Sequence, residues 1–271
     1  MKFTLYILLT LLINTVGYSQ NVLAKVTYFY EKNIGTGPLV TEAELFINNE
    51  SSDFIWSNFK RTRPFKPEDF GLPPGTPITV MNTEKKTDVF NIYTDFKNDK
   101  LYETDNLVGQ RYIVWENRLK INWHITNEQK KIDNYNVTKA TGKFRGRNYT
   151  VWFTTEIPVN AGPWKLNGLP GLIMEAEDDA KAITLKVIKI EMNASDAKSH
   201  IFEKPRQGTL ITLKEYIEKE NTMRKTLKSN AMSKLSREND AKFPEFDRSK
   251  YRLEFEFEWD DNSTDKTKSQ N

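Results

Sequence analysis

The chain is predicted to fold as a mainly β protein, an antiparallel sheet or sheets arranged as a half-barrel or a sandwich, with one helix in the C-terminal region. Three observations carry this expectation. Short runs rich in β-branched and aromatic residues recur between Val22 and Met192, separated by Gly, Pro, Asn and Asp. A helix-start signal occurs once, late, at Thr212-Leu213-Lys214-Glu215. Between them, Gly162 to Ile173 (GPWKLNGLPGLI) makes a glycine- and proline-punctuated corner that opens into an apolar run.

At the start, Lys2 precedes an apolar stretch from Phe3 to Val16. Gly17-Tyr18-Ser19 then offers small residues where a signal peptidase reads them, which predicts cleavage between Ser19 and Gln20. The stretch is short for a membrane span, and no later run approaches one. Residues 1–19 are therefore read as a removable leader, 20–260 as one β-rich domain, and 261–271 as a disordered polar tail. Cysteine is absent, which excludes disulfides, Cys-ligated zinc and thiol nucleophiles. The net charge of +3 is too near balance to argue for nucleic acid as a partner.

Strands are expected at Val22 to Tyr30, at Glu42 to Ile47, and at Ser52 to Phe59. The second and third form a hairpin around Asn48-Asn49-Glu50. The proline-rich stretch Arg61 to Pro77 reads as a loop. Further strands follow at Asp88 to Asp95, Lys100 to Thr104 and Gln110 to Glu116, with Asn98-Asp99 a tight turn between the first two. Leu119 to Thr126, Ile132 to Ala140, Tyr149 to Thr154, Leu172 to Glu177 and Ala182 to Met192 continue the series. Lys186 and Lys189 face outward at an odd spacing, which predicts a bulge near Val187-Ile188. The helix runs from the Thr212 cap toward Asn239. Leu253, Phe255, Phe257 and Trp259 then alternate with Glu254, Glu256, Glu258 and Asp260, the pattern of a half-buried strand. Its row of carboxylates calls for a basic neighbour, and Lys186 and Lys189 are the expected one.

In the corner itself, Pro163 and Pro170 fix φ and donate no N–H, while Gly168 and Gly171 permit positive φ. Leu169, Leu172 and Ile173 are too apolar to be left outside, so the corner is read as structural and buried. A phosphate-binding loop would run into a helix with Lys-Ser/Thr, whereas here the acidic Glu175, Glu177, Asp178 and Asp179 follow.

Trp123, Tyr135, Lys139-Ala140, Gly146-Arg147-Asn148-Tyr149, Trp152-Phe153-Thr154, Ile157-Pro158, Gly162-Pro163-Trp164 and Gly168 to Ile173 occur in that order. Over roughly residues 120 to 177 the chain thus resembles the GLPGLI family of exported proteins from Gram-negative Bacteroidota. The resemblance implies an exported address and a fold neighbourhood, and it implies no reaction. Val137 stands where members commonly carry Cys, so no thiol chemistry carries over.

No residue pattern points to a catalytic group, a metal ligand set or a cofactor. His124 and His200 lie apart, without ligand spacing, and no Gly-x-Ser-x-Gly elbow occurs. The remaining cluster is basic and aromatic: Lys139, Lys143, Arg145 and Arg147 beside Tyr149 and Trp152. It is the candidate ligand-binding group, suited to an acidic peptide, a glycan or a lipid headgroup. The expected function is that of an exported, non-enzymatic binding or accessory module at the periplasm or outer membrane, with an envelope protein or small ligand as partner. The alternative is a hydrolase of glycan or peptide that uses Asp/Glu pairs.

Overall fold

The computed structural model describes residues 24–34, 37–57, 59–62, 64, 66, 75, 89–194, 200–234 and 252–260. The leader, the Ser19/Gln20 cleavage point, most of the 61–77 loop, the helix end near Asn239 and the 261–271 tail lie outside the described residues.

In chain order the strands are β1 (Ala24–Lys32), β2 (Leu39–Ile47), β3 (Ser51–Ser57), β4 (Lys60–Arg61), β5 (Val89–Asp95), β6 (Lys100–Leu107) and β7 (Gln110–Asn117). They continue as β8 (His124–Ile132), β9 (Tyr135–Phe144), β10 (Arg147–Thr154), β11 (Leu172–Asp178), β12 (Ile183–Met192) and β13 (Thr209–Thr212). One helix, α1 (Leu213–Lys234), follows. All strands belong to one sheet of order β13-β7-β6-β5-β3-β2-β1-β12-β11-β10-β9-β8, with β4 added on β2. The sheet does not close on itself. Each described pairing is antiparallel except that of β13 with β7, which is parallel and makes the sheet mixed.

Local chemistry accounts for the meander. Asn48 Oδ1 accepts from the N–H of Glu50 and of Ser51 at 2.8 and 2.7 Å, an Asx turn that fixes the β2–β3 hairpin. Arg145 and Gly146 both have positive φ, 45° and 96°, the requirement of a two-residue turn that suits right-handed strand twist, and they join β9 to β10. Thr27 lies opposite Lys189 and Tyr28 opposite Val187, so Ile188 is the extra residue of a bulge in β12, where the lysine spacing placed it. A second irregularity makes Met174 the unmatched residue of β11.

Alternate residues of β1 (Val26, Tyr28, Tyr30) and β10 (Tyr149, Val151, Phe153) are buried, and the main core lies on that face. The corner after β10 packs into it, with Leu169, Leu172 and Ile173 each no more than 2% exposed. Tyr28 donates its hydroxyl to the Ile173 carbonyl at 2.7 Å, which ties β1 to the corner.

Two expectations are corrected. Residues 252–260 form no strand. Phe255 and Glu256 donate their N–H groups to the single Arg145 carbonyl at 3.1 and 3.4 Å, so the segment crosses the β9–β10 turn and joins no ladder. Its carboxylates consequently meet Arg145, Lys165 and Lys143, while Lys186 sits between Phe29 and Glu175 inside the sheet. The strand expected at 119–126 begins only at His124, because Trp123 turns its indole N–H to the Asn167 carbonyl at 2.7 Å.

At the start of α1 the capping box forms as its sequence predicts. Glu215 Oε2 accepts from the Thr212 N–H at 2.8 Å, and Thr212 Oγ1 accepts from the Glu215 N–H at 3.2 Å. Leu213, Tyr216 and Ile217 then pack on Val114 and Phe257, which docks the helix on β7 and on the 252–260 segment. Thr212→Ala is expected to lower stability by about 1 kcal/mol, read as a lower urea midpoint at unchanged slope. An unmoved midpoint would mean that side-chain docking alone sets the first turn.

Candidate functional site

The charge network and the cavity beside it draw on the β6–β7 hairpin, the corner, the C-terminal segment, the β9–β10 turn and α1. On β6, Glu103 and Asp105 alternate onto one face, and the register places Glu116 of β7 on the same face. From the corner comes Lys165. Leu166 N–H bonds the Pro163 carbonyl at 3.2 Å, closing a turn in which Trp164 has a φ of 57°, and Lys165 follows it inward. From the C-terminal side come Arg252, Glu254 and Glu258.

Lys165, with a side chain 2% exposed, places its Nζ 2.9 Å from Glu103, 2.9 Å from Glu116 and 2.7 Å from Glu254. Arg145, 3% exposed, bonds Glu116 at 2.5 Å, Glu254 at 2.6 Å and Glu258 at 3.1 Å. Glu116 and Glu254 therefore each bridge a lysine and an arginine, the dense pairing that a buried charge needs. Beside this network Arg147 donates to Asp178 at 2.8 Å and to the carbonyls of Arg252 and Leu253 at 2.6 and 3.0 Å. Asp178 in turn accepts from the N–H groups of Ala182 and Ile183.

The electrostatics follow from these contacts. Burial alone would discharge Lys165, but Glu103, Glu116 and Glu254 hold its ammonium well above the ordinary lysine value. Burial raises Glu103, and Lys165 only partly offsets it. Burial also pushes Glu254 up, yet Lys165 and Arg145 together bring it below the ordinary value. Two carboxyls on one ammonium thus shift in opposite directions.

Next to the network a cavity of about 160 Å³ lies between α1, β6–β7 and the 252–254 segment. Its wall includes Glu103, Asp105, Trp164, Tyr216, Glu220 and Arg252. Tyr216 donates its hydroxyl to Asp105 at 2.7 Å, and burial followed by the Asp105 charge holds that phenol well above its ordinary value. Arg252, 8% exposed, is paired through Nη2 to Glu220, whereas its Nε and Nη1 have no hydrogen-bond partner among the described residues. Burial lowers its affinity for the proton, partly offset by Tyr216, Glu254 and Asp105.

The six residues singled out as a ligand-binding group divide between the two faces of the sheet. Arg147 and Tyr149 lie on the buried face of β10, and Arg145 is held in the network. Trp152 lies on the opposite face with Lys130 over its ring at 4.4 Å, directly across from Lys139. Lys139 pairs with Glu128 at 2.9 Å and Lys143 with Glu256 at 2.7 Å. Of the motif residues, Trp164 lines the cavity, has Lys165 Nζ 6.0 Å from its ring, and meets Phe144 edge-on at 5.8 Å. His124 is exposed, and His200 lies flat on Phe46 at 4.0 Å with Asp53 3.3 Å away. Lys165, Glu103, Asp105, Glu116, Tyr216 and Arg252 escaped the sequence reading. One signal was present: Lys165, between Trp164 and Leu166, is the only charged residue of the Gly162 to Ile173 corner. No group of three or more His, Asp or Glu side chains among the described residues is arranged to hold a metal ion. No helix among them is long and apolar enough to cross a membrane.

A family model described as "Protein of unknown function (Porph_ging)" matches residues 143–175, which run from the end of β9 through Lys165 into β11. No curated protein matches the chain. Among solved structures, the chain is similar to PNGF-II in its C2 crystal form, with a TM-score of 0.46 and 16% identity over 74% of this chain and 33% of that one. For the P21 form of PNGF-II the TM-score is 0.43, with 16% identity over 72% of this chain and 32% of that one. The chain spans about a third of the length of those proteins, and a likeness at this level carries no functional argument.

Proposed function

We propose that the protein is an exported, non-enzymatic binding or accessory module of the cell envelope, and that the cavity between α1 and β6–β7 is its ligand site. The observation that carries the reading is Arg252. A buried guanidinium with two nitrogens unpaired among the described residues is costly, and it stands in the wall of a cavity large enough to admit an acceptor. The export part rests on Lys2 and the apolar stretch Phe3 to Val16, together with the resemblance to exported GLPGLI proteins.

A hydrolase remains the second reading, because Glu103 and Glu254 line one cavity with opposed proton affinities. Against it, both carboxylates are bound to the same Lys165 ammonium, which fills the space between them where a scissile bond would have to lie.

Native mass spectrometry of the protein taken gently from its own cell envelope tests the main reading. The expected result is a chain beginning at Gln20 that carries a small molecule, with that molecule reduced in Arg252→Lys. A bare chain from every preparation would overturn the binding role. A retained leader would overturn the export role.

A further inference from the structure

We infer that the cavity takes a neutral, hydroxyl-rich ring the size of one monosaccharide, anchored between Arg252 and Asp105. This rests on the reading of the cavity as a binding site and specifies its ligand class. Four features lead to it.

The first is size. A cavity of about 150 Å³ admits benzene, so this one, at about 160 Å³, holds the ring of a monosaccharide with its outer hydroxyls left toward the wall and the mouth. The second is charge. Glu103 and Glu254 are paired to Lys165, Glu254 also to Arg145, and Glu220 to Arg252, so Asp105 is the wall carboxylate without an ion pair among the described residues. An anionic ligand would be repelled by that carboxylate, and a neutral one is not. The third is the division of donors and acceptors. Arg252 offers Nε and Nη1 as donors only. Asp105 accepts from Tyr216 and from the Asn106 N–H at 2.7 Å, forms no ion pair among the described residues, and keeps further acceptor capacity. A hydroxyl both donates and accepts, so one polyol satisfies both walls. The fourth is the rest of the lining. Val114, Leu213, Ile217 and Leu253 provide apolar surface for the C–H faces of such a ring, as mixed small-molecule sites require.

Isothermal titration calorimetry on the full chain, with neutral hexoses and N-acetylhexosamines, glycine and alanine as zwitterions, and a hexuronate as anion, tests the assignment. At least one neutral sugar is expected to bind. Arg252→Lys and Asp105→Asn are each expected to weaken it tenfold or more, with urea midpoints recorded beside each titration. Should either variant fail to fold, Ile217→Phe, which fills the cavity from the helix side, is expected to abolish the heat. Sugar binding that all three variants leave unchanged would overturn the location. Binding of the zwitterion or the hexuronate alone would overturn the ligand class and leave the binding module standing. No heat from any class, with a bare chain in native mass spectrometry, would overturn both.

Discussion

Lys165→Met is expected to cost about 3–5 kcal/mol of folding stability, the range for removing one partner of a buried ion pair. The substitution keeps most of the apolar stem and deletes the one cation among the described residues that Glu103, Glu116 and Glu254 share. Arg145 still reaches Glu116 and Glu254, but Glu103 is left half-buried without a cation among its described contacts. Urea unfolding at neutral pH measures the loss, and a change under about 1 kcal/mol would mean that the carboxylates are not held as ions. The two outer carboxylates supply a directional check. Glu254 lies below its ordinary value, so its stabilisation is present above the unfolded glutamate value of about 4.3 and is lost as pH falls through the lower folded value. Glu103 lies above its ordinary value, so its protonation on mild acidification favours the folded state. Glu254→Gln is therefore expected to cost more than Glu103→Gln at neutral pH, with the difference shrinking once acid protonates Glu254.

Gly171→Ala is expected to destabilise by about 3 kcal/mol or more, at the upper end of overpacking effects. A Cβ at Gly171 would stand 2.0 Å from the Thr154 carbonyl oxygen and 2.7 Å from its carbon. Both are backbone atoms at the end of β10, where Thr154 pairs with Leu172, so relief requires opening the β10–β11 ladder. The same residue shows what the sequence concealed. A glycine after proline suggested positive φ, yet the positive φ belongs to Gly168, and Gly171 is needed for the approach of two backbones. Equilibrium denaturation decides the matter, and a loss below about 1 kcal/mol would show that β10 yields more readily than its pairing implies.

Strand positions were legible because burial on one face writes itself as alternation, as in Val26, Tyr28 and Tyr30, and because Asn48 and Thr212 sit where turn and cap chemistry demand them. Even the β12 bulge could be read from two lysines. Alternation failed at Leu253 to Asp260, where it meant something else: apolar residues pack on α1 and on the β9–β10 turn while Glu254 and Glu258 reach a buried arginine. Periodicity records which side of a segment is dry, and it says nothing about whether a ladder lies beside it. β13 was missed because four residues paired in parallel carry too short a pattern. The site was illegible for a related reason. Lys165, Glu103 and Glu254 are far apart in the chain, and a charged residue looks solvent-facing until its partners are known.

The sheet divides into β1–β7 with β13 and β8–β12, and among the described residues the only ladder joining these groups is that of β1 with β12, in which Ala24 lies opposite Met192. This is the most distant antiparallel pairing among the described strands, and closing so long a loop is expected to come late because its entropy must be spent before any contact rewards it. Until residues 183–192 arrive, β1 has β2 on one side and a row of open N–H and C=O groups on the other. The middle of the finished sheet is thus an exposed edge for as long as that ladder is unformed.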